Sequence, residues 1–371
     1  MTARLDQAFD ALAADPRGFH SGVLRIEDGA GRLVWTRSFG MARADGAAMM
    51  PDTRFHVASI AKTLTATLIL QLVEEGRLAL SDRFSGTGVL PDEILSRMEG
   101  FRIEQMLRHT SGLRDGMEDD LEQLGGPAPN SFLGFQMAHG GLTRGWDPFD
   151  PRAALDPDAG VLNYLFDRGI LFGLLAEPGS RFHYSDSGFM LLGLLVEHLT
   201  GQTLHQAFAE RIIEPLGLAQ TYLAWRSDLP DVTADRAPES DVWMGAAPLF
   251  ASGMSLSFDW AGGGIVTTAA ELARFLRALL AGQLFREPDT LAQMLDLAVP
   301  EGLRPPRCGV GLGIFEIEAG PYLLIGHSGA PGAKMFAHRE SGLVLTGTVN
   351  QLMNPANWFE PLAALAIKEL T

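Results

Sequence analysis

A serine and a lysine stand three residues apart at Ser59 and Lys62, and together they could support nucleophilic catalysis. Residues at this spacing share one face of a helix, so the Ser59 hydroxyl and the Lys62 amine can meet. A serine hydroxyl becomes an effective nucleophile when a base takes its proton, and a lysine can be that base if its pKa falls well below about 10.4. At a helix start, the amide N–H of Ser59 can also bind an oxyanion. A capping serine followed by a surface lysine gives the same pattern, and this motif alone does not exclude it.

A second polar segment, Tyr184-Ser185-Asp186, lies in a loop before an apolar helix that begins near Gly188. Such a loop could project the phenol of Tyr184 into a cleft. A phenolate near two cations can accept a proton, and the phenol can return it to a leaving group. The structural alternative is a half-buried tyrosine whose hydroxyl faces water.

A third segment, Gly326-His327-Ser328-Gly329, is followed by Ala330. If residues 323–330 form a strand, His327 and Gly329 share one face of it. Gly329 would let a substrate lie against the backbone, and His327 could donate to that substrate or help polarise Tyr184. A strand-end histidine in a turn is the alternative.

The elements that must position these side chains follow from hydrophobic periodicity and turn residues. An N-terminal amphipathic helix carries Leu5, Phe9 and Leu12 on one face, and a helix over 59–75 ends at Gly76. The remaining predicted helices cover 161–175, 188–199, 204–213, 269–281 and about 355–370. The predicted strands cover 22–27, 32–39, 311–318, 322–327, 334–338 and 343–349. Strands at both ends and helices between them favour one sheet built from both termini, with an inserted helical region.

Residues 115–160 differ in composition from the rest of the chain. They contain 8 Gly and 5 Pro, with 9 acidic and 2 basic residues. A segment of this kind is a long loop or lid, and functional and disordered interpretations both stay open. Phe132, Trp146 and Phe149 are candidates for the apolar walls of a pocket.

The motifs Ser59-x-x-Lys62, Tyr184-x-Asp186 and His327-x-Gly329, in this order, resemble the serine β-lactamase and penicillin-binding-protein superfamily. The likeness is closest to the class C branch with its related esterases, D-aminopeptidases and DD-peptidases, and it covers about 54–350. Further stretches are similar to that branch, namely 107–113 (LRHTSGL), 177–179 (EPG), 213–218 (IEPLGL) and 261–264 (AGGG).

The resemblance implies an α/β (α+β) fold in which helices flank an antiparallel sheet and a helical region faces it across a cleft. One unit over 1–371 is expected, with a sheet region at about 1–58 and 262–371 and a helical region at about 59–261. The family's roles, carried over, make Ser59 the acylated nucleophile, with Lys62 and Tyr184 sharing the acid and base work. The N–H groups of Ser59 and Ala330 would form the oxyanion hole.

The resemblance implies a catalytic role for His327 beside Ser59, Lys62 and Tyr184, and substrate contacts for Asp186, Ser328 and Gly329. Two of these positions depart from the family pattern, because Asp186 replaces the usual Asn and His327-Ser328-Gly329 replaces a frequent K-T-G. The histidine form resembles D-aminopeptidases and some DD-peptidases more than true β-lactamases. A neutral His327 attracts a carboxylate only weakly, so we expect weak β-lactam turnover at most.

The composition excludes several other classes of function. A net charge of −16 and the lack of a basic cluster argue against nucleic acid as a partner. The nine histidines show no metal-ligand spacing, so we predict no metal and no cofactor. The lone Cys308 is expected to be a small core residue. No signal-peptide h-region or membrane-length apolar run is present, so we expect a cytoplasmic chain, or a periplasmic or secreted one if a leader was removed.

Three other interpretations compete with the serine hydrolase. The segment 326–330 nearly matches the G-x-S-x-G elbow of α/β-hydrolases, but His338 is the only histidine after Ser328, and the required downstream acid and histidine do not follow. The glycines at 309–313 lack the βαβ context of a dinucleotide site. A catalytically inactive binding protein on the same fold stays open. We therefore predict an esterase-like hydrolase that forms an acyl-enzyme with small ester or amide substrates. The alternative is a D-aminopeptidase, D-amino-acid amidase or DD-peptidase. The substrate is expected to be a small molecule or short peptide, and the oligomeric state is unknown.

Overall fold

A seven-stranded antiparallel sheet forms the centre of the computed structural model, which describes residues 2–15, 19–98, 100–117, 119, 147, 149–150, 152, 155–224, 237–251, 253, 255–352 and 357–371. The strands in these ranges are β1 Ser21–Glu27, β2 Leu33–Gly40, β3 Phe55–His56, β4 Tyr222–Leu223, β5 Trp243–Met244, β6 Ala247–Pro248, β7 Ile265–Thr267, β8 Arg307–Val310, β9 Phe315–Ala319, β10 Tyr322–Ser328, β11 Lys334–Ala337, β12 Val344–Thr348 and β13 Gln351–Leu352. The large sheet has the order β2-β1-β12-β11-β10-β9-β8.

Helices cover both faces of this sheet. In the same ranges they are α1 Ala3–Ala13, α2 Ala61–Glu74, α3 Asp92–Leu95, α4 Ile103–Leu107, α5 Val161–Asp167, α6 Asp186–Thr200, α7 Leu204–Phe208, α8 Glu214–Leu216, α9 Trp260–Gly263, α10 Ala269–Leu280, α11 Pro288–Met294 and α12 Phe359–Leu370. The predicted antiparallel sheet with flanking helices is confirmed, whereas the single-unit organisation over 1–371 stays a prediction.

Two hydrophobic clusters hold these layers together. One joins α1 and α12 to the sheet through buried side chains such as Leu5, Phe9 and Phe359. The larger cluster lies on the other side and contains α2, α6 and α10. Helix α2 is buried on nearly all sides, which is typical of a helix in the interior of a protein.

The predicted strand over 311–318 is wrong in its extent, because residues 311–314 form a turn and the strand begins at Phe315. Gly311 N–H donates to the carbonyl of Ile314 at 2.8 Å, and Gly313 adopts a φ of +71°. A positive φ is readily available only to glycine, so the turn separates β8 from β9.

Three other predicted elements need correction. The helix over 161–175 stops at Asp167, and Gly169, with a φ of +68°, then begins a short 3-10 turn. The helix over 204–213 changes into a π turn at Ala209–Ile213. The strand predicted over 322–327 extends one residue further, to Ser328, so Gly329 and Ala330 lie in the turn beyond it and not on the strand face considered for 323–330.

Most of the predicted lid lies outside the described residues, including Phe132 and Trp146. Phe149, the third candidate for a pocket wall, packs instead against the core residue Phe166, with ring centroids 5.9 Å apart. Within the described ranges, no helix combines the length and apolarity that crossing a bilayer requires.

Candidate active site

Ser59 lies in a 3-10 turn, Ala58–Ile60, that leads directly into α2. The preceding residue Ala58 has a φ of +44°, a left-handed conformation that is uncommon outside glycine. Backbone strain of this kind is frequent at functional sites, where the surrounding structure holds it in place. The turn leaves Ser59 partly exposed while its neighbours are buried.

Lys62 is fully buried one turn further along α2. Its Nζ donates to Ser59 Oγ at 3.1 Å and to the carbonyl of Gly262 at 2.9 Å, and it forms an ion pair with the Asp186 carboxylate. The predicted meeting of the Ser59 hydroxyl and the Lys62 amine is therefore present in the structure.

The ion pair determines the protonation state of Lys62. Burial alone would lower its pKa, but the charge of Asp186, with smaller contributions from Tyr184 and Asp259, outweighs burial and raises the pKa above its ordinary value. Lys62 is thus an ammonium in the resting site, whereas a lysine base would require a lowered pKa.

Two consecutive glycines allow the carboxylates to approach this lysine. A Cβ on Gly262 would lie 2.8 Å from Asp259 Oδ1 and 3.3 Å from Lys62 Nζ. A Cβ on Gly263 would lie only 1.7 Å from Asp259 Oδ2. Any larger residue at these two positions would displace Asp259 or Lys62, which explains why positions 262 and 263 are glycines.

Tyr184 lies just before α6. Ser185 caps the first turn of this helix, because its Oγ accepts a hydrogen bond from the N–H of Gly188 at 3.1 Å. The Tyr184 ring stacks on His109, with centroids 4.2 Å apart. His109 Nδ1 accepts a hydrogen bond from the backbone N–H of Ser185 at 3.1 Å. His109 therefore supports both the ring of Tyr184 and the backbone beside it. Sequence reasoning gave this histidine no role, and its only signal was the similarity of 107–113 to the family.

Lys62 Nζ lies 5.1 Å from the ring centroid of Tyr184, and both Ser59 and Lys62 act to lower the pKa of the Tyr184 hydroxyl, as expected of close polar neighbours. Burial raises the pKa of Tyr184 and outweighs the opposing charge of Lys62. The resting site accordingly holds a phenol beside an ammonium, rather than a preformed phenolate.

His327 is fully buried on β10, and its Nδ1 lies 2.8 Å from the carbonyl oxygen of Ser328. A carbonyl only accepts, so Nδ1 must carry the proton and Nε2 is left as an acceptor. Burial and the charge of Lys62 hold the pKa of His327 well below its usual range, so the ring is neutral. This tautomer does not donate from Nε2, and the donation to substrate suggested by the sequence would require the tautomer to change.

Gly329 brings the end of β10 against the serine turn. A Cβ on Gly329 would lie 2.0 Å from the carbonyl oxygen of Val57, so only glycine permits this approach. The next residue, Ala330, is exposed, and its N–H has no hydrogen-bond partner among the described residues. The backbones that carry the N–H groups of Ser59 and Ala330 are therefore neighbours. Ser328 pairs with Lys334 across β10 and β11, at the edge of this turn.

Cys308 differs from its prediction as a core residue, because it is only partly buried. Burial and the nearby carboxylates of Glu316 and Glu318 raise the pKa of its thiol to about 11, so it is protonated at neutral pH. In the part of the chain that the structure describes, no group of three or more His, Cys, Asp or Glu side chains could hold a metal ion.

Comparison with known proteins gives a matching family model and several similar proteins. The model of the Beta-lactamase family matches residues 22–367. Penicillin-binding protein 4 of Amycolatopsis lactamdurans is 29% identical over 291 residues, covering 74% of this chain and 63% of that protein. Esterase EstB of Burkholderia gladioli is 30% identical over 227 residues, covering 59% and 50%. This chain thus spans less than two thirds of the length of either relative.

A solved structure extends the likeness over almost the whole chain. The crystal structure of a D-stereospecific amidohydrolase from Streptomyces sp. has a TM-score of 0.70 and 28% identity, covering 95% of this chain and 94% of that one. The esterase and the amidohydrolase are both named for hydrolytic activities.

Proposed function

Because the chain belongs to the Beta-lactamase family, whose members are hydrolases, we propose that it is a serine hydrolase that forms an acyl-enzyme with small esters or amides. The observation that carries the proposal is the 3.1 Å hydrogen bond from Lys62 Nζ to Ser59 Oγ, next to the hydroxyl of Tyr184. Nucleophile, cation and phenol stand together where the backbone of Gly329 meets the serine turn.

The protonation states favour a concerted proton relay for acylation. As Ser59 Oγ bonds to the substrate carbonyl carbon, its proton passes to the Tyr184 oxygen, while the phenol proton of Tyr184 passes to the leaving oxygen or nitrogen. The bond to the leaving group then breaks, and the net protonation of the site is unchanged. The Lys62 ammonium stabilises the negative charge that develops on Ser59 Oγ and the Tyr184 oxygen.

The oxyanion of the tetrahedral intermediate would be bound by the N–H groups of Ser59 and Ala330. Water then attacks the acyl carbon and gives one proton to the Tyr184 oxygen, while the phenol proton of Tyr184 passes to Ser59 Oγ. The bond between Oγ and the acyl carbon breaks, and the acid is released. His327, Ser328 and Gly329 form the strand end along which the substrate would lie, and the Nε2 of His327 can accept a hydrogen bond from it.

Amides of D-amino acids are a second candidate substrate class. The 28% identical amidohydrolase is named as D-stereospecific, and the likeness covers nearly all of both chains. The carboxylate of Asp186 would attract the free α-amine of such a substrate and repel an anionic β-lactam. This substrate class uses the same Ser59 chemistry, so the two candidates differ only in the preferred acyl and leaving groups.

Labelling with a fluorophosphonate tests the proposal, because that probe reacts with activated serines. We expect one adduct, located on Ser59 by peptide mass spectrometry, and hydrolysis of p-nitrophenyl esters or D-aminoacyl amides that Ser59→Ala abolishes. The exposed Ser96→Ala variant is the matched control and should retain full activity. A folded Ser59→Ala protein with near wild-type turnover would refute the mechanism. No adduct and no hydrolysis would favour a catalytically inactive binding protein.

A further inference from the structure

Trp260, the first residue of α9, has a strained backbone. Its φ of +30° and ψ of −105° lie outside the regions that residues with a side chain normally adopt, and for a bulky residue this is a genuine outlier. Such strain persists only where the surrounding structure over-determines the conformation, and it is concentrated at functional sites. Trp260 has no direct role in the proposed chemistry, so the cause of its conformation must lie in what its neighbours do.

The residues that follow Trp260 direct their carbonyls at α2. The carbonyl of Gly262 accepts a hydrogen bond from Lys62 Nζ at 2.9 Å, and the carbonyl of Ala261 accepts one from Thr65 Oγ1 at 2.7 Å. Lys62 and Thr65 are three residues apart and share one face of α2. The short helix α9 is therefore attached at two points to the face of α2 that carries the lysine.

The residue before Trp260 reaches the same lysine. The Cβ position of Gly262 lies 2.8 Å from Asp259 Oδ1 and 3.3 Å from Lys62 Nζ, so carboxylate and ammonium occupy one small region. The charge of Asp259 accordingly contributes to the raised pKa of Lys62. The other titratable side chains that interact with this ammonium are Asp186, Tyr184, His109 and His327. The turn at Trp260 thus aims groups from both of its sides at one cation.

The ring of Trp260 is buried against α6, where a glycine makes room for it. The side chain is 2% exposed. A Cβ on Gly193, in the middle of α6, would lie 2.8 Å from Cζ3 of the ring and 2.4 Å from the Cβ of Ala261. Glycine is less stable than alanine inside a helix, so helix propensity does not explain Gly193, whereas the close approach of α9 does. The buried ring is the anchor that holds the strained backbone in place.

We propose that Trp260 is a positioning residue for Lys62. Its ring, seated on Gly193 of α6, holds the strained turn from which the Gly262 carbonyl and the Asp259 carboxylate reach the ammonium. The proposal rests on the proposed function, in which that ammonium stabilises the charge on the reacting oxygens. Displacing the ring should therefore weaken the hold on the lysine and slow the reaction, while substrate binding changes little.

One added methyl group tests this in turnover. In Gly193→Ala the methyl displaces the ring and the turn attached to it, and a displacement of about 1 Å can cost about 100-fold in rate, so we expect kcat to fall by about 10- to 100-fold with KM within about threefold. Gly188→Ala is the matched control in the same helix, because its methyl meets nothing closer than 3.6 Å, and it should retain full activity. Phe208→Leu, in the core at α7, controls for lost packing. It should lower stability in urea and leave kcat nearly unchanged.

The lysine itself can be observed without any turnover. The chain has three lysines, at Lys62, Lys334 and Lys368. Protein labelled with carbon-13 at lysine Cε should therefore give three NMR signals, and the signal that Lys62→Met removes belongs to position 62. Its dependence on pH reports the protonation of that ammonium directly.

The titration is best measured on an Asp186→Asn background. This change removes the ion pair that keeps Lys62 protonated far into the alkaline range, while Asp259 still faces the ammonium. We expect Gly193→Ala to lower the midpoint of the Lys62 signal by a further amount of about 1 pH unit, because the Asp259 charge moves away. Gly188→Ala should leave the midpoint in place.

An unchanged midpoint in Gly193→Ala would overturn the proposal, and so would an equal loss of kcat in Phe208→Leu, because Trp260 would then be an ordinary core residue. If Gly193→Ala does not fold, Trp260→Phe gives the same comparison with the same expected directions, since it withdraws the outer ring atoms from α6. A midpoint that moves while kcat stays level would support the positioning and count against the ammonium in the proposed function. If Ser59 neither reacts with the probe nor turns over any ester, the proposed function fails, and the midpoint still decides whether Trp260 positions Lys62.

Discussion

Asp186→Asn tests the electrostatics of the candidate site most directly. It removes the negative charge that faces Lys62 and keeps the size and shape of the side chain. An opposite charge in contact shifts a pKa by about 1–3 units. At about 1.36 kcal/mol per unit, the carboxylate of Asp186 therefore favours the charged form of Lys62 by roughly 1.4–4 kcal/mol. The variant should lower the pKa of Lys62 by the same number of units.

The dependence of kcat/KM on pH reveals which protonation state of Lys62 is active. If the relay needs the ammonium, the wild-type rate stays level into the alkaline range, and Asp186→Asn loses activity at a pH lower by about 1–3 units. If Lys62 acted instead as the resting base, the variant would gain activity near pH 7, because more of its lysine would be neutral. A gain of activity near pH 7 in the Asp186→Asn variant would refute the relay.

Unfolding by urea provides the second measurement for this variant. A lysine whose pKa is raised by folding contributes stability that is complete below its unfolded value of about 10.4 and is lost as pH rises through the higher folded pKa. At pH 7 the full contribution is present, and removing one partner of a buried pair costs about 3–5 kcal/mol. We expect the lower end, because the Asn oxygen still accepts from Lys62 and Asp259 is nearby. Asp296→Asn, which breaks an exposed pair with Arg108, is the control and should cost at most about 1 kcal/mol.

Three further substitutions test other parts of the site. Tyr184→Phe should lower kcat by about 10²–10⁴-fold with a smaller change in KM, and a kcat within threefold of wild type would exclude Tyr184 from the relay. His109→Ala should lower kcat through misplacement of the Tyr184 ring without moving the pH profile, since His109 is neutral throughout; a shifted profile in steady-state assays would argue for direct proton transfer instead. Gly329→Ala should cost about 1–3 kcal/mol in urea unfolding and most of the turnover, because the new methyl meets the carbonyl of Val57, and full activity would contradict the tight approach.

The sequence predicted the elements whose periodicity was clear. Helix α1 carries Leu5, Phe9 and Leu12 at helical spacing, and all three are buried as expected. The strand predicted over 311–318 begins too early, because its first residues form a turn. That turn depends on the conformation of Gly313 and not on hydrophobicity, so the apolar pattern did not reveal it.

The candidate site was only partly predictable, for a physical reason. Ser59 and Lys62 are neighbours along one helix, so their contact follows from spacing alone. The stacking of His109 on Tyr184 joins segments that are distant in the chain, and its only signal in the sequence is the similarity of 107–113 to the family. The charge of Asp186 was visible in the sequence, but the raised pKa of Lys62 depends on its ion pair with that carboxylate, which the structure reveals.

The pairing of β1 with β12 has a consequence for biosynthesis. Val23 pairs in register with Thr348, so β1, near the N-terminus, lacks one of its two neighbouring strands until a much later segment is synthesised. At about 5–20 residues per second, the ribosome needs roughly 15–65 s to extend the chain between these two positions. During that interval β1 can pair with β2 alone, and its other edge is open to chaperones or to other nascent chains. The serine turn meets Gly329 only when the same late segment arrives. A truncated translation product that stops before residue 329 would therefore contain Ser59 but lack Ala330, whose N–H is proposed to complete the oxyanion hole.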